Sequence, residues 1–410
     1  ISYASADIIA EYSLDKASWG LVLGYFGYGY MFGALLGGTL ADHFGPKRVW
    51  IVAGVAWSIF EMSTAYAGDI GLAVLGGSAL AGFAVIRILF GLSEGPAYSL
   101  INKTVANWAT PRERGFAVSL GLLSTPLGAL LTAPVAVALL VLTQDWRIMF
   151  FTLGIAGLIA LAVFAWVFTD RPEENPRVGP AERALLRESA AARGAVSASE
   201  DAGQWWTFFT NRHLVFNAVA YFSFNYVNFM LLTWTPKYLQ DQFGFSLSSL
   251  WYVGMIPWAG SCITVVLGGR FSDWLLRRTA SLRVARSWFA ATVLLLTTVC
   301  FISIPFASSA VVVIALMSLG NALNSLPNSV YWANVIDTSP PSRTGMFSGI
   351  THFIANIASV AAPTVTGYAS ALYGYSAMFV VTAIITAIGT LAMLLVRPGR
   401  HVEVLKEAVA

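Results

Sequence analysis

Four stretches of this chain, Trp50–Ala67, Trp146–Phe168, Ala290–Pro305 and Ala377–Val396, carry almost no charge over spans close to the thickness of a bilayer. Windows of that length and polarity read as transmembrane helices. With 57% hydrophobic and only 11% charged residues, a soluble domain of this size could not hide so much apolar surface. The expectation is an all-α integral membrane protein of twelve helices, near 1–10, 17–41, 48–68, 74–107, 113–142, 146–169, 211–239, 248–272, 284–306, 308–336, 343–372 and 374–397. Ile1–Ile9 is too short to span and carries Asp7, so it reads as the last turns of a first helix whose beginning is missing from this chain.

One long polar segment, 170–210, separates helices 6 and 7. It holds Pro172, Pro176 and Pro180, with a short surface helix expected near Ala181–Arg193. The chain on either side repeats itself. Gly38–Asp42 matches Gly269–Asp273 at an offset of 231, and Pro111–Gly115 matches Pro341–Gly345 at 230. Ala133-Pro134 matches Ala362-Pro363, and Met149-Phe150 matches Met378-Phe379, both at 229. Four ordered matches at nearly one offset indicate duplicated six-helix bundles. The expected divisions are a first bundle at 1–169, a linker at 170–210, a second bundle at 211–397 and a tail at 398–410.

Lysine and arginine set the orientation. With both termini cytoplasmic, 20 of the 24 fall on the cytoplasmic side, against Lys16, Arg147 and Lys237 outside and Arg87 within the membrane. The net charge of +3 is too small to argue for nucleic acid. Cys262 and Cys300 lie in apolar segments without CxxC or metal-ligand spacing, and read as buried small hydrophobes.

Arg87 and Glu94 stand inside the apolar helix 4, seven residues apart. Two helical turns bring them to one face, about 10 Å from each other. A charge at mid-membrane costs at least about 2.5–3.5 kcal/mol, so such groups face a partner or a water-filled cavity. Arg87 suits a substrate carboxylate and Glu94 the uptake of a proton; Gly91 and Gly95 are expected to clear that face. The competing reading is a structural pair bolting two helices together. Gly91–Gly95 also fits the G-x-S-x-G elbow of serine hydrolases, but that motif needs a preceding strand and a histidine base. His43, His213 and His401 lie at membrane edges, and His352 lies in helix 11. No nucleophile–base or metal cluster supports an enzyme.

Buried amides form a second polar set: Asn225 and Asn228 in helix 7, Asn321, Asn324 and Asn328 along one face of helix 10, and Asn356 in helix 11. Such groups need protein partners or water, and ordinary interhelical bonding is the alternative. Glu61, mid-membrane in helix 3, is set to pair with a neighbouring helix or to be protonated.

Gly38–Arg48 resembles the signature loop of the major facilitator superfamily, with His43 where Arg or Lys is usual. Arg87-x3-Gly91-x2-Glu94-Gly95, followed by Asn107-Trp108 and Arg112–Gly115, is similar to the anion:cation symporter family within it. That family includes bacterial sugar-acid and aromatic-acid transporters, sialin and the vesicular glutamate transporters. The resemblance implies two pseudo-symmetric six-helix bundles and proton-coupled organic anion transport by alternating access. It further implies a monomer in the bacterial inner membrane, with lipid, protons and a small anion as partners and no cofactor beyond the proton gradient.

By the same resemblance, Tyr30, Ser329, Tyr331, Trp332 and Asn356 match substrate-lining positions, and Thr125 matches a polar contact in helix 5. Asp42 and Asp273 stand where each signature loop begins and, with Arg114, would gate the conformational change. A carboxylate near a helix N-terminus gains about 0.3–1 kcal/mol, and a contact made in one bundle arrangement biases the equilibrium. Pro134 and Pro363 are expected to bend helices 5 and 11. Helix 5 lacks the glycine-rich run ending in Gly-Pro that marks drug antiporters of the superfamily, which favours uptake over efflux. The expected substrate is a sugar acid, with an aromatic carboxylate or a proton-coupled export role as the alternatives.

Overall fold

The computed structural model describes residues 1–108, 114–184, 205–339 and 344–398; the side chains of a few helical residues, Asp42 and Arg114 among them, also lie outside the described set. The first half comprises α1 (Ser5–Tyr12), α2 (Lys16–Phe44), α3 (Pro46–Thr64, extended by Ala67–Val74), α4 (Ala79–Glu94 and Ala97–Trp108), α5 (Arg114–Thr143) and α6 (Trp146–Val167). The second comprises α7 (Arg212–Phe243), α8 (Leu250–Val253 and Ile256–Thr279), α9 (Phe289–Ser303), α10 (Ala310–Ser325 and Asn328–Thr338), α11 (Thr344–Asn356 and Ala358–Tyr373) and α12 (Tyr375–Leu395). Among the described residues, nine helices are long and apolar enough to cross a membrane, or ten with the bent α3 pair.

Local chemistry sets the boundaries. Asp15, Ser78, Asp145 and Asn211 each accept a backbone N–H in the first turn of α2, α4, α6 and α7, satisfying donors that a helix start leaves unpaired. Gly45 (φ +81°), Gly244 (φ +65°) and Gly374 (φ +78°) close α2, α7 and α11 in conformations suited to a residue without a Cβ. The loop between helices 3 and 4 differs from expectation. The chain bends by 74° between Pro46–Thr64 and Ala67–Val74, and α4 starts only after the Ser78 cap. Within the linker, residues 180–184 are helical, and the rest of the expected Ala181–Arg193 stretch lies outside the described residues.

The duplication has a physical counterpart in the backbone. α4 breaks between Glu94 and Ala97 around Pro96, and α10 breaks between Ser325 and Asn328 around Pro327, an offset of 231. A proline interrupts a helix because it lacks the N–H and crowds the preceding turn. α5 instead runs through Pro126 and Pro134 as one helix, while its counterpart α11 is broken at Ile357.

The two halves meet at the end away from the signature loops. The largest apolar core joins residues of both, including Trp19, Phe83 and Phe150 from the first half and Trp234, Trp258 and Phe379 from the second. The other three cores each lie within one half, toward the end rich in arginine. The seam is built from small residues: Gly20 lies against Gly367, Gly24 against Thr364, and Gly27 against Ser359 and Val360. Close backbone approach through glycines is how helices pack where lipid removes the hydrophobic drive between them.

Candidate functional site

α4 carries the central polar groups. Arg87 is buried, with 7% of its surface exposed, and Glu94 is half-buried two turns further on. The two form no ion pair with each other. Phe26 of α2 and Phe90 of α4 instead place their rings 5.0 and 5.4 Å from the guanidinium carbon. Aromatic faces attract a cation without supplying a counter-charge. Arg87 Nε has no hydrogen-bond partner, and Arg87 makes no ion pair among the described residues.

The glycines of this helix face elsewhere than expected. A Cβ on Gly91 would collide with Phe26 O and Tyr30 N, and one on Gly95 with Tyr30 O and Ala34 N. In return, Gly29 abuts Ile88 O, and Gly33 abuts Leu92 O and Gly95. Gly91 and Gly95 therefore let α2 and α4 touch through their backbones, and do not clear a substrate surface. Ser93, between them, bonds its own helix at Phe90 O (2.7 Å).

Tyr30 is buried, its ring 5.3 Å from Phe26 and 6.4 Å from Phe229 of the other half. One turn beyond Glu94, Tyr98 shares a hydroxyl–hydroxyl hydrogen bond with Thr125 of α5. Its ring reaches across the halves to His352 of α11, at 5.8 Å. Trp332 lies 5.4 Å and Tyr221 6.2 Å from the same imidazole. Asn356, one turn along from His352, is buried and donates from Nδ2 to His352 O (2.9 Å). Tyr331 stacks on Tyr221 at 5.0 Å, and its hydroxyl has no partner among the described residues.

Some expected residues sit apart from this group. Ser329 lies against Gly269 of α8, within its own half. Asn225 is buried and makes no hydrogen bond among the described residues, whereas Asn228 bonds Phe224 O (3.0 Å). Asn321 Nδ2 donates to Pro257 O (2.9 Å) and Asn324 Nδ2 to Phe224 O (3.1 Å), so this face of α10 pins α8 and α7. Asp273 pairs with Arg286 (3.0 Å) at the start of helix 9, inside the second half. Of the other two gate residues, Asp42 and Arg114, the side chains lie outside the described set. Cys300 is buried and Cys262 only half-buried; both are free.

Three residues were not picked out as ligands from sequence: Tyr98, Tyr221 and His352. A tyrosine or histidine at helical spacing in an apolar run looks like packing, and only the meeting of α4, α7, α10 and α11 distinguishes them. Asp170 was missed as well. Its carboxylate accepts from Lys47 N (2.6 Å) and so caps α3 directly after Gly45. Asn107 and Trp108 bond the carbonyls of Asp170 and Thr169.

Glu61 lines a cavity of about 480 Å³ between α3 and α6, together with Trp50, Trp57, Ser58 and Phe90. That cavity lies within the first half and away from the interface of the halves. Among the described residues, no group of His, Cys, Asp and Glu is arranged to hold a metal ion.

The family model described as Major Facilitator Superfamily matches residues 1–363. A hexuronate transporter of Bacillus subtilis (strain 168) is 31% identical over 409 residues, covering 97% of this chain and 90% of that protein. A probable galactarate/D-glucarate transporter of the same organism is 30% identical, covering 99% and 90%. Sialin of Ovis aries is 25% identical over 87% of this chain and 70% of its own length. Among solved structures, a bacterial homologue of the human lysosomal transporter Spinster, inward-facing and occupied, superposes with a TM-score of 0.73 at 16% identity, covering 97% and 92%. The xylose transporter of E. coli in an inward open conformation gives 0.71 at 19%, covering 98% and 92%.

Proposed function

The chain belongs to the major facilitator superfamily and is a multi-pass membrane transporter, and from that premise we propose that it imports an organic carboxylate, a sugar acid in the first place, together with protons. The observation that carries this reading is Arg87: a buried guanidinium held by two aromatic rings, with no ion pair among the described residues. A mid-membrane cation that makes no ion pair among the described residues is costly, and a substrate carboxylate would complete it with a charge-assisted, bidentate contact. The relatives named for hexuronate and for galactarate or glucarate support that substrate class.

Glu94 takes the proton. It lies on the Arg87 face, half-buried and without a hydrogen bond or ion pair among the described residues, so its charge state is free to change with the occupancy of the site. A substrate carboxylate on Arg87 adds one negative charge to the site and a proton on Glu94 removes one, so the loaded site carries no more net charge through a low-dielectric region than the empty one. The halves then rock about the site, Tyr30 and Tyr98 moving with one and Trp332, Asn356 and His352 with the other. With the arginine-rich ends cytoplasmic, the glycine seam of α2 and α11 closes the outer side, and the arrangement is inward-facing.

Proteoliposomes under an imposed inward proton gradient test this. Uptake of D-galacturonate is expected in the wild type, loss of uptake in Arg87→Ala, and loss of gradient-driven accumulation with retained substrate exchange in Glu94→Gln. Gradient-driven accumulation unchanged in both variants would sink the mechanism and leave the fold untouched.

A further inference from the structure

Among the described residues, His352 is the one histidine buried at the interface of the halves, with 9% of its surface exposed. Neither Nδ1 nor Nε2 has a hydrogen-bond partner among the described residues. An imidazole always carries at least one donor, and in its neutral form one acceptor. Leaving both buried and unpaired is destabilising, because each has given up its hydrogen bonds to water without a replacement. The surroundings offer rings in place of partners: Tyr98 at 5.8 Å, Trp332 at 5.4 Å and Tyr221 at 6.2 Å. Asn356, its neighbour on α11, has its amide turned back to the His352 carbonyl.

Two of these contacts differ in kind. Tyr221 and Trp332 belong to the same half as His352, so they stay with it when the halves move. Tyr98 belongs to the other half, on the face of α4 that carries Arg87 and Glu94. The ring that covers His352 is therefore attached to the substrate-anchoring helix. Relative movement of the halves shifts Tyr98 against His352 and so changes what the imidazole faces.

We propose that His352 is a substrate-binding residue of the second half, hydrogen-bonding hydroxyls at the end of a sugar acid remote from the carboxylate on Arg87. The sugar's C–H faces stack on Trp332 and Tyr221, and the two unpaired ring nitrogens find their donor and acceptor in vicinal hydroxyls. A ligand held at both ends bridges the halves. The assignment rests on the transport reading above and deepens it: the first half reads charge and the second reads hydroxylation. A site that satisfies buried polar groups through the substrate discriminates strongly against an analogue lacking them.

The test compares D-galacturonate, which carries hydroxyls along its length, with hexanoate, a six-carbon carboxylate without them. Wild type, His352→Leu and His352→Gln are reconstituted in proteoliposomes after gel filtration confirms monodisperse protein. In His352→Leu, the KM for galacturonate is expected to rise about tenfold, the loss of one or two hydrogen bonds. The hexanoate inhibition constant stays within twofold, and His352→Gln, which keeps a donor and an acceptor, restores the galacturonate KM to within about threefold. A galacturonate KM unchanged in His352→Leu, with Arg87→Ala inactive, overturns the assignment alone. Equal weakening of galacturonate and hexanoate also overturns it, since a packing role acts on both. Wild-type protein that neither binds nor moves a sugar acid overturns the transport reading, and this assignment with it.

Discussion

Gly20 of α2 and Gly367 of α11 meet backbone to backbone across the two halves: a Cβ on Gly20 would stand 2.9 Å from the Gly367 Cα, and one on Gly367 2.8 Å from the Gly20 Cα. Neither glycine has a positive φ, so the requirement is for space and not for an unusual backbone. This contact closes the end of the molecule away from the signature loops.

Gly20→Leu is therefore expected to penalise the closed seam by about 1–3 kcal/mol, the cost of overpacking a tight contact. That shifts the balance between arrangements by about tenfold or more. Spin labels on Leu142 and Ser248, both exposed near the ends of α5 and α8 away from the signature loops, read the change. Their distance distribution should gain a longer component in the variant; an unchanged distribution would mean that the seam does not govern closure.

Gly91→Ala tests a different use of glycine. An added Cβ would strike Phe26 O and Tyr30 N, which are main-chain atoms of α2 that no side-chain rotation can move aside. The expectation is a loss of about 1–3 kcal/mol, seen as a lower unfolding temperature in detergent. A glycine that merely cleared a substrate surface would tolerate alanine without loss of stability, and the affinity alone would change.

These two glycine stripes mark the limit of what the sequence conveys. Helix positions, the duplication and the intramembrane Arg87 and Glu94 are legible because charge and polarity are rare in this chain and stand out. The facing of α2 is not legible, because a helix apolar on all sides has no periodicity to orient it. Gly91 and Gly95 lie on the same helix as Arg87 and Glu94, and only packing reveals that they serve the α2 contact. Likewise Asn321 and His352 are both buried polar residues in apolar runs. The side chain of one bonds Pro257 O of α8 and the ring nitrogens of the other bond nothing among the described residues, a difference set by neighbours far away in the chain.

At the end away from the signature loops, Arg147 of α6 ties three helices together. Its guanidinium donates to Glu11 (3.0 Å from Nη1 to Oε2), Asp69 (3.1 Å) and the Tyr12 hydroxyl (3.2 Å), while Trp146 Nε1 also donates to Glu11 (3.0 Å). Hydrogen bonding from Arg147 is the leading cause that holds the Glu11 carboxyl below the usual glutamate range. A depressed carboxyl contributes stability that is present above its unfolded-state value and is lost as pH falls through its folded-state value. Glu11 is partly exposed, so solvent screening limits the contribution to about 1 kcal/mol or less. The stability advantage of wild type over Glu11→Gln should hold at pH 7 and vanish as the pH drops below about 4. An advantage independent of pH across that window would show that packing, and not charge, carries the contact.

Asp170 joins the end of α6 to the start of α3, and its removal should be felt at the signature loop. The carboxylate accepts the Lys47 N–H at 2.6 Å, and Gly45, at φ +81°, holds the chain so close that a Cβ there would lie 2.7 Å from Asp170 Oδ2. Pro46 fills the first helical position, where no N–H is needed, which leaves Lys47 as the first donor to satisfy. Asp170→Ala removes that acceptor and the negative charge at a helix N-terminus, for a cost of about 0.5–2 kcal/mol. Asp170→Asn keeps an acceptor and should recover more than half of the loss. Gly45→Ala should be at least as damaging, because it strains the left-handed backbone and pushes Asp170 away together. Unfolding temperatures of the three variants in one detergent separate the contributions: equal stability of Asp170→Ala and wild type would remove the cap from the account of this loop.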